Sequence, residues 1–512
     1  MPAAPGPAGP ADTLLGGYGR GVGWTYLGLG LTGGSTFFLA AWTVRRVGTA
    51  QYGLFALVTS LAGLLVVFDY ALGLTVQRAG ARAGGDPAAT AAEEHRAAVH
   101  AAHGAYVVLG LAGLAVAAPA AVAAGRFGPG DTQYVVPTVA LLGAAASLQL
   151  GTAALPAVAV ASRRFALRSG ATAAGVGVRV SVALVAVGRF GVAGLALAHL
   201  LGVVAERLVL AGVVPRRIPW FRLRPPAPNG SALRGVLAYA GPLLLISMSG
   251  QLFAVSDLVA VGVLVGASAV GVYQVAGLVP LYLAAVLIVG YNVAFPALAA
   301  SDDPAAQERA TAFLTRLFGY VGGTGLAVVA LLRGDVVAVL LGHGNQLAED
   351  VLLALCAMSL ANLLVHGLAS LLIARGRQLL MARAVAVELP VNILLTIALV
   401  VRFGAVGAAV ATLVTAMLMD FVILPVVSRG EFAGGALATT VRDGLGPAAL
   451  GALVALAATQ IGDLAVEPAL RLALGAVVAG VIGLAVGLLL LGPGGRTTVR
   501  RALAPHRPAL IA

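Results

Sequence analysis

Residues 47–57, with the sequence VGTAQYGLFAL, join two long apolar runs. A related segment, VGASAVGVYQV, stands at residues 265–275, 218 residues later. A second pair, RFGVAGLA at residues 189–196 and RFGAVGAA at residues 402–409, has an offset of 213 residues. Two pairs of similar segments, separated by nearly the same number of residues, predict an internal duplication. Duplicated apolar helices are typical of membrane transporters.

The composition places most of the chain in a lipid bilayer. Of 512 residues, 60% are hydrophobic and 10% are charged, and the mean hydropathy is +0.98. A soluble protein of this length would have roughly a quarter of its residues charged. The net charge of +12 comes from arginines that lie mostly in short loops between apolar runs, which argues against a nucleic-acid partner.

Two residue types exclude whole classes of chemistry. All 32 basic residues are arginine, so a P-loop lysine and a Schiff-base lysine are both missing. Cys356 is the only cysteine, which rules out an intrachain disulfide and a cysteine metal site. The sequence therefore predicts no ATP hydrolysis through a Walker site, and we expect neither a cofactor nor a bound metal.

Apolar runs long enough to cross a bilayer recur along the chain. About 20 apolar residues in a helix span ~30 Å of hydrocarbon. Such runs lie at residues 22–44, 52–72, 104–124, 135–158, 169–188, 190–213, 237–264, 270–297, 314–333, 351–373, 383–401, 404–427, 443–461 and 469–491. They predict an all-α polytopic membrane protein with about fourteen transmembrane helices.

The distribution of arginine predicts the orientation. If both termini are cytoplasmic, 23 of the 32 arginines fall in cytoplasmic segments and 7 in external loops. Positive charge collects on the cytoplasmic side of membrane proteins, so this ratio fits internal termini and an even number of spans. Because each repeat has six spans, the two lobes should be parallel repeats about a pseudo-twofold axis normal to the membrane.

These patterns divide the chain into six segments. A disordered cytoplasmic N-terminus (1–21) precedes a first lobe of spans 1–6 (22–213), a cytoplasmic linker (214–236), a second lobe of spans 7–12 (237–428), spans 13 and 14 (429–491) and a cytoplasmic tail (492–512). The linker places arginines beside Trp220 and Phe221, and we expect it to lie along anionic headgroups.

Short motifs at several places in the two repeats resemble a known family. The first repeat has AWTVRRVG at 41–48, YGLF at 52–55 and DYALGL at 69–74. The second has YAGP at 239–242, Asp257, GVY at 271–273 and FPAL at 295–298. Over about residues 18–430 the chain is similar to O-antigen-type polysaccharide-export flippases of the multidrug/oligosaccharidyl-lipid/polysaccharide (MOP) exporter superfamily.

The resemblance implies a non-enzymatic protein of the bacterial cytoplasmic membrane. By alternating access, without ATP, it would move polyprenyl-diphosphate-linked oligosaccharide to the outer leaflet. We expect a monomer whose partners are membrane lipids, the lipid-linked glycan, and a polysaccharide polymerase and glycosyltransferases. One alternative is a cation-coupled multidrug exporter of the same superfamily, although residues 22–44 lack the acidic residue usual there. A membrane glycosyltransferase is disfavoured because no sizeable loop carries paired carboxylates.

Two arginines inside predicted spans are candidate substrate-binding residues, because ionisable groups in a membrane are costly and are usually paired or functional. Arg179 lies near the middle of span five, and Arg207 lies deep in span six. Arg179 is either a diphosphate contact or a member of a structural pair. Arg207 either snorkels to the headgroups or contributes a charge pair or substrate contact.

Three acids of the second lobe complete the candidate set. Asp257 in span seven carries either a coupling proton or cation, or makes a polar helix-end contact. Glu388, two residues before Pro390, is a second candidate of the same kind. Asp420 stands at the repeat position of Arg207 and is the remaining candidate.

Other polar groups have two interpretations each. Arg20, before span one, either steers phosphate or anchors to the headgroups. Asp69 is expected to cap a helix or to pair with Arg78. His100 and His103 either join nearby acids in a metal site or lie on a solvated face, and their spacing favours the solvated face.

Overall fold

A computed structural model of the chain describes residues 10–83, 90–127, 132–224, 230–299, 303–431, 441–462 and 467–490. The regular secondary structure of these residues is helical. The helices are α1 (Pro10–Ala83), α2 (Thr90–Phe127), α3 (Thr132–Gly151), α4 (Ala154–Ala161), α5 (Phe165–Arg217), α6 (Gly230–Leu264), α7 (Ala267–Ala299), α8 (Pro304–Leu331), α9 (Arg333–Leu341), α10 (Gln346–Ala374), α11 (Gln378–Leu418), α12 (Leu424–Val427), α13 (Gly446–Gly462) and α14 (Pro468–Leu490). Single π-helical turns, Met419–Ile423 and Val441–Leu445, precede α12 and α13.

Three of the helices bend sharply at a glycine. Gly48 in α1 has φ 84° and ψ 167°, Gly191 in α5 has φ 55° and ψ −139°, and Gly404 in α11 has φ 61° and ψ −143°. Glycine adopts positive φ at little cost, whereas a side chain at these positions would be strained. Gly191 and Gly404 are the glycines of the two RFG motifs, and their backbone angles are nearly the same. The duplication predicted from the sequence is therefore present in the backbone.

Packing after the bends repeats in the same way. A side chain at Gly194 would collide with the backbone of Ala186, and one at Gly407 would collide with the backbone of Leu399. In each pair the two residues stand on opposite sides of the bend, so the chain reverses direction there. Small residues are required because the two helix halves approach backbone to backbone.

The helices fit a membrane protein. Eight helices of the described chain are long and apolar enough to cross a bilayer, and three of these contain the bends at Gly48, Gly191 and Gly404. This confirms the predicted all-α polytopic class. The count of fourteen spans stays a prediction, as do the lobe boundaries.

The two repeats meet along α1, which packs against both α6 and α7. The contact is tightest beside the first bend, where a side chain at Gly53 would strike the carbonyl oxygen of Ala267 and one at Gly271 would strike that of Thr49. The largest apolar core surrounds this point and draws side chains from both repeats, among them Leu39, Phe55, Val261, Tyr273 and Leu352. This end of the interface between the lobes is therefore closed by apolar packing.

The last two helices dock on the second lobe, because α13 packs along α8 and α14 contacts α8 and α9. A side chain at Gly323 of α8 would collide with the backbone of Ala448 in α13. Arg316 on α8 donates to Oδ1 of Asp443 at 2.5 and 2.8 Å, and the Asp443 side chain is fully buried. A small-residue contact and an ion pair between half-exposed Arg316 and the buried Asp443 carboxylate thus hold the C-terminal helices in place.

The segment between the lobes differs from the prediction. After α5 ends at Arg217, Phe221 is 2% exposed and its ring packs against His100 and His103 of α2. His103 Nε2 lies 2.9 Å from the carbonyl oxygen of Leu223. The expectation that Phe221 lies along headgroups is wrong, and so is the solvated face for the two histidines, which are 8% and 4% exposed. Phe221 and the two histidines are buried because the Phe221 ring packs against both imidazole rings.

The start of the chain also differs from the prediction. α1 begins at Pro10, inside the segment assigned to a disordered N-terminus. Proline suits the first turn of a helix, and no further proline interrupts the chain before Gly48. The predicted tail, residues 492–512, lies outside the described residues.

Candidate functional site

A basic site lies in the first lobe at its boundary with the second. Arg179, on the first half of α5, is partly buried, and Tyr52 and Tyr282 lie near its guanidinium group. Tyr52 belongs to α1 and Tyr282 to α7, so the guanidinium group is influenced by side chains of both repeats. His199, on the second half of α5, is a further ionisable neighbour of Arg179.

Close helix packing positions both sides of this basic site. A side chain at Gly202 would approach Cβ of Arg179 to 2.9 Å, so the bend in α5 brings its second half against the base of the arginine. The Tyr282 ring lies 5.1 Å from the ring of Phe37 on α1. A side chain at Gly33 would meet the same tyrosine at 3.2 Å. Small residues on α1 and α5 therefore bring Arg179 and Tyr282 into one region.

Arg207 belongs to a second polar cluster in the first lobe. The residue is 8% exposed, and its charge interacts with Asp69, Tyr106, Arg168 and Glu206. Tyr106 donates its hydroxyl proton to Oδ1 of Asp69 at 2.9 Å. The burial of Arg207 argues against the snorkelling interpretation, because a snorkelling arginine keeps its head in water.

Asp69 and Arg78 do not form the expected pair. Asp69 bonds with Tyr106, while the Arg78 guanidinium carbon lies 4.7 Å from the ring centroid of Tyr239 on α6. Arg78 and Tyr239 line a cavity of about 440 Å³ between α1, α2 and α6, together with Glu94. A cation–π contact thus replaces the predicted ion pair.

Both arginines, Arg179 and Arg207, retain hydrogen-bonding capacity. Within the described residues, Nε of Arg179 and both Nε and Nη1 of Arg207 are buried without a hydrogen-bond partner. A guanidinium group presents five N–H donors in a fork that matches phosphate and carboxylate oxygens. A buried donor without a partner is costly, so an anionic ligand that supplies oxygen atoms would be stabilised at either residue.

The second lobe holds an acidic site. Asp257 on α6 is 4% exposed, and its carboxylate accepts hydroxyl protons from three side chains. Thr396 donates at 3.0 Å, Thr412 at 2.5 Å and Tyr273 at 2.9 Å. Asn392 is fully buried, and its Nδ2 lies 3.5 Å from Oγ1 of Thr412. The carboxylate thereby joins α6, α7 and both halves of α11.

The repeat relates these basic and acidic sites. An offset of 213 residues matches Arg179 with Asn392 and His199 with Thr412. The two positions that hold basic residues in the first lobe therefore hold uncharged polar residues in the second lobe, close to Asp257. The oxygen atoms around Asp257 suit a hard cation, but no group of three His, Cys, Asp or Glu stands ready for a metal ion in the described chain.

Glu388 and Asp420 form the last candidate cluster. Glu388 lies on the first half of α11 and is partly buried, and its charge acts on Asp420 in the π-helical turn Met419–Ile423. Asp420 is 4% exposed. The candidates named from the sequence therefore fall into four places rather than one. Arg20 lies in α1 before the side chains that the structure describes.

Several residues of these sites were missed by sequence reasoning. Tyr52 and Tyr282 beside Arg179, and Thr396 and Thr412 beside Asp257, are ordinary residues for an apolar helix. Nothing in the sequence around these residues marks them as members of a site, because their polar groups come near a charged residue only after the chain folds. The repeat offset could have singled out Thr412 through its equivalent, His199.

Comparisons with known proteins agree with the fold. The family described as "Polysaccharide biosynthesis protein" matches residues 132–349. An inward-facing multidrug resistance MATE family transporter of the MOP superfamily aligns with a TM-score of 0.64 and 16% identity, covering 82% of this chain and 95% of that one. No curated protein matches the sequence significantly.

Two further solved structures share the architecture. The lipid II flippase MurJ, in an inward closed conformation, aligns with a TM-score of 0.57 and 14% identity, covering 89% of this chain and 99% of that one. A MOP superfamily transporter from Pyrococcus furiosus aligns with a TM-score of 0.56 and 16% identity, covering 81% and 97%. The chain is an all-α, multi-pass membrane protein with the fold of the MOP-superfamily transporters.

Proposed function

We propose that the protein is a flippase that moves polyprenyl-diphosphate-linked oligosaccharide across the cytoplasmic membrane of a bacterium for polysaccharide biosynthesis. Alternating access of the two lobes would expose the headgroup first to one side and then to the other. The observation that carries the proposal is the presence of two first-lobe arginines, Arg179 and Arg207, with buried N–H groups that have no hydrogen-bond partner among the described residues.

The chemistry of such a substrate fits these arginines. A diphosphate and a glycan cannot enter hydrocarbon unaided, because burying an unpaired charge is very costly. Guanidinium groups bind phosphate oxygens in a bidentate manner. Arg179 would contact the diphosphate between the lobes, with Tyr52 and Tyr282 lending hydroxyl groups, while the polyprenyl tail stays in lipid.

The proposal extends to topology and partners. Both termini would lie in the cytoplasm, where the arginine-rich segments 214–236 and 492–512 meet anionic lipids. The protein would act as a monomer, without cofactor or catalysis. A polysaccharide polymerase and glycosyltransferases, which consume and make the lipid-linked glycan, would be its functional partners.

A deletion strain tests the function directly. Loss of the protein should leave lipid-linked oligosaccharide facing the cytoplasm, measured as glycan that is inaccessible to an external lectin in intact cells but accessible after lysis. Re-expression of the wild-type chain is the control and should restore surface exposure. Unchanged surface polysaccharide in a deletion strain without a second copy of the gene would reject the proposal.

The carboxylates of the second lobe favour one alternative, a cation-coupled multidrug exporter. Asp257, Glu388 and Asp420 could bind a cationic drug or a coupling ion, and multidrug transporters share the fold. Drug-sensitivity profiling of the same deletion strain separates the two. Heightened sensitivity to cationic drugs, with normal lipid-linked glycan, would favour the exporter.

A further inference from the structure

The cavity of about 440 Å³ between α1, α2 and α6 stands apart from the basic and acidic sites described above. Two of its walls, the C-terminal part of α1 and the first turns of α2, come from the first repeat. The third wall is the start of α6, which opens the second repeat. The ionisable side chains that line the cavity are Arg78, Glu94, His95 and Tyr239. The cavity therefore brings charged groups of both repeats to one place.

The position of the cavity along the helices is that of the lipid headgroups. Arg78 follows the apolar run 52–72 by six residues, about 9 Å along a helix. Glu94 precedes the apolar run 104–124 by ten residues, about 15 Å along a helix. Tyr239 lies at the start of the apolar run 237–264. Arginine and tyrosine are favoured at this depth because each has an apolar part and a polar end.

Opposite charges line this cavity without forming a pair. The Arg78 guanidinium carbon lies 4.7 Å from the ring centroid of Tyr239. Neither Arg78 nor Glu94 takes part in an ion pair of the described residues, although both side chains line the same space. A cation and an anion that face one cavity from separate walls can each bind one end of a ligand that carries both charges.

The chemistry of the walls specifies the two ends of such a ligand. Arg78 stands beside the first turn of α6, which lines the cavity at Ser231, and both a guanidinium group and the start of a helix favour phosphate. Glu94 on α2 offers carboxylate oxygens, which favour a primary ammonium group with its three N–H donors. A phosphate joined to a primary amine is the headgroup of phosphatidylethanolamine.

Exposed apolar side chains on α6 favour a lipid over a soluble phosphoamine. Leu237, which follows the cavity-lining Val236, is 51% exposed, and Met248 is 48% exposed. The two exposed residues are eleven positions apart, about three helical turns, so they lie on the same face of α6. That face leads from the cavity into the apolar run 237–264, where acyl chains would cover it.

We propose that the cavity between α1, α2 and α6 binds one phosphatidylethanolamine molecule, with its phosphate at Arg78 and its ammonium group at Glu94. The acyl chains extend along Leu237 and Met248. Because the walls come from both repeats, the bound lipid bridges them and stabilises the conformation in which they are adjacent. This lipid site goes beyond the proposed function and does not depend on the identity of a transported substrate.

Native mass spectrometry of the delipidated full-length protein tests the site without a transport assay. The wild type should bind phosphatidylethanolamine about tenfold more tightly than phosphatidylglycerol, which lacks an amine, and phosphatidylcholine, whose ammonium group has no N–H. Such a ratio corresponds to one charge-assisted hydrogen bond. Free phosphorylethanolamine should bind more weakly than the lipid. Equal affinity for the free headgroup would overturn the assignment to a lipid.

Charge-neutral variants separate the two ends of the headgroup. Glu94→Gln should erase the preference for phosphatidylethanolamine over phosphatidylglycerol without weakening the binding of phosphatidylglycerol. Arg78→Gln should weaken the binding of both lipids, whereas Arg78→Lys keeps the charge and should retain it. The matched controls are Glu93→Gln and Arg234→Gln, at exposed residues that do not line the cavity, and both should bind as the wild type does.

The same measurements can overturn the proposal. Equal binding of the three phospholipids by the wild type would show that the cavity does not recognise the headgroup. Unchanged binding in both Glu94→Gln and Arg78→Gln, or equal losses in the two controls, would also reject the site. In nanodiscs, replacement of phosphatidylcholine by phosphatidylethanolamine should raise the melting temperature of the wild type more than that of Glu94→Gln. An equal rise would contradict the bridging of the repeats.

Discussion

Gly53 and Gly271 lie directly against each other where the two repeats meet. Each glycine occupies the same place in its own repeat, and each approaches the backbone of the other repeat. Gly53 meets Ala267, and Gly271 meets Thr49. The offset of 218 residues converts one contact into the other. The hydroxyl groups of Thr49 and Ser268 lie 2.7 Å apart beside this crossing. The pseudo-twofold axis therefore passes through a contact that only glycine can make.

Replacement of either glycine by alanine should weaken the junction of the lobes. In Gly53→Ala and Gly271→Ala, the added methyl group strikes a backbone carbonyl that cannot turn aside. Overpacking of this kind costs about 1–3 kcal/mol, and each variant should melt at a lower temperature than the wild type. Gly250→Ala, in α6 with open space around its Cβ position, is the matched control and should not melt lower. Equal melting of all three variants would show that the crossing is looser than described.

The hydroxyl group of Thr412 should stabilise the second lobe through Asp257. Thr412→Val keeps the shape but removes one of three donors to a buried carboxylate, and the expected cost is about 1–3 kcal/mol. Thr412→Ser keeps the donor and should remain close to the wild type. Melting curves of the purified variants check this. If valine and serine behave alike, the hydroxyl group contributes nothing to stability.

Arg316 should hold the C-terminal helices on α8. Its removal in Arg316→Ala leaves the buried carboxylate of Asp443 with Arg442 alone, at 3.1 Å. In an Ala455→Cys background, loss of the tether should expose the new thiol, because Ala455 is fully buried in α13. Labelling with a maleimide measures that exposure, and buried Cys356 reports on general unfolding.

The matched control for this tether is Arg309→Ala. Arg309 pairs with Asp303 at 3.5 Å, and both side chains are largely exposed, so the pair contributes little. Labelling at position 455 should stay at the background level in this control. Equal labelling in both variants would mean that small-residue packing alone holds α13.

The sequence predicts the architecture because the duplication and the helix bends can be recognised from short glycine-containing motifs. Gly191 and Gly404 stand in near-identical motifs, and their positive φ angles follow from the need for glycine at a tight reversal. Arg179 and Asp257 could be named as candidates because an ionisable residue inside an apolar run is costly and is usually paired or functional. These predictions need only the chain itself and the physics of the bilayer.

The partners of those charges could not be predicted, because they come from contacts distant in sequence. Tyr282 of the second repeat lies near Arg179, and Tyr106 bonds Asp69 across 37 residues. His100 looked solvated because its burial depends on Phe221, 121 positions away, folding back over α2. The sequence therefore locates the charged groups, but the tertiary fold decides what each of them meets.

The central claim is that Arg179 holds the diphosphate of a lipid-linked glycan between the lobes. The most direct measurement is the flipping rate of polyprenyl-diphosphate oligosaccharide in proteoliposomes, for the wild type, Arg179→Ala and a control, Arg189→Ala, whose side chain is exposed at the bend of α5. The account predicts that Arg179→Ala abolishes flipping while the protein still inserts, and that Arg189→Ala flips at the wild-type rate. Full activity of Arg179→Ala would contradict it.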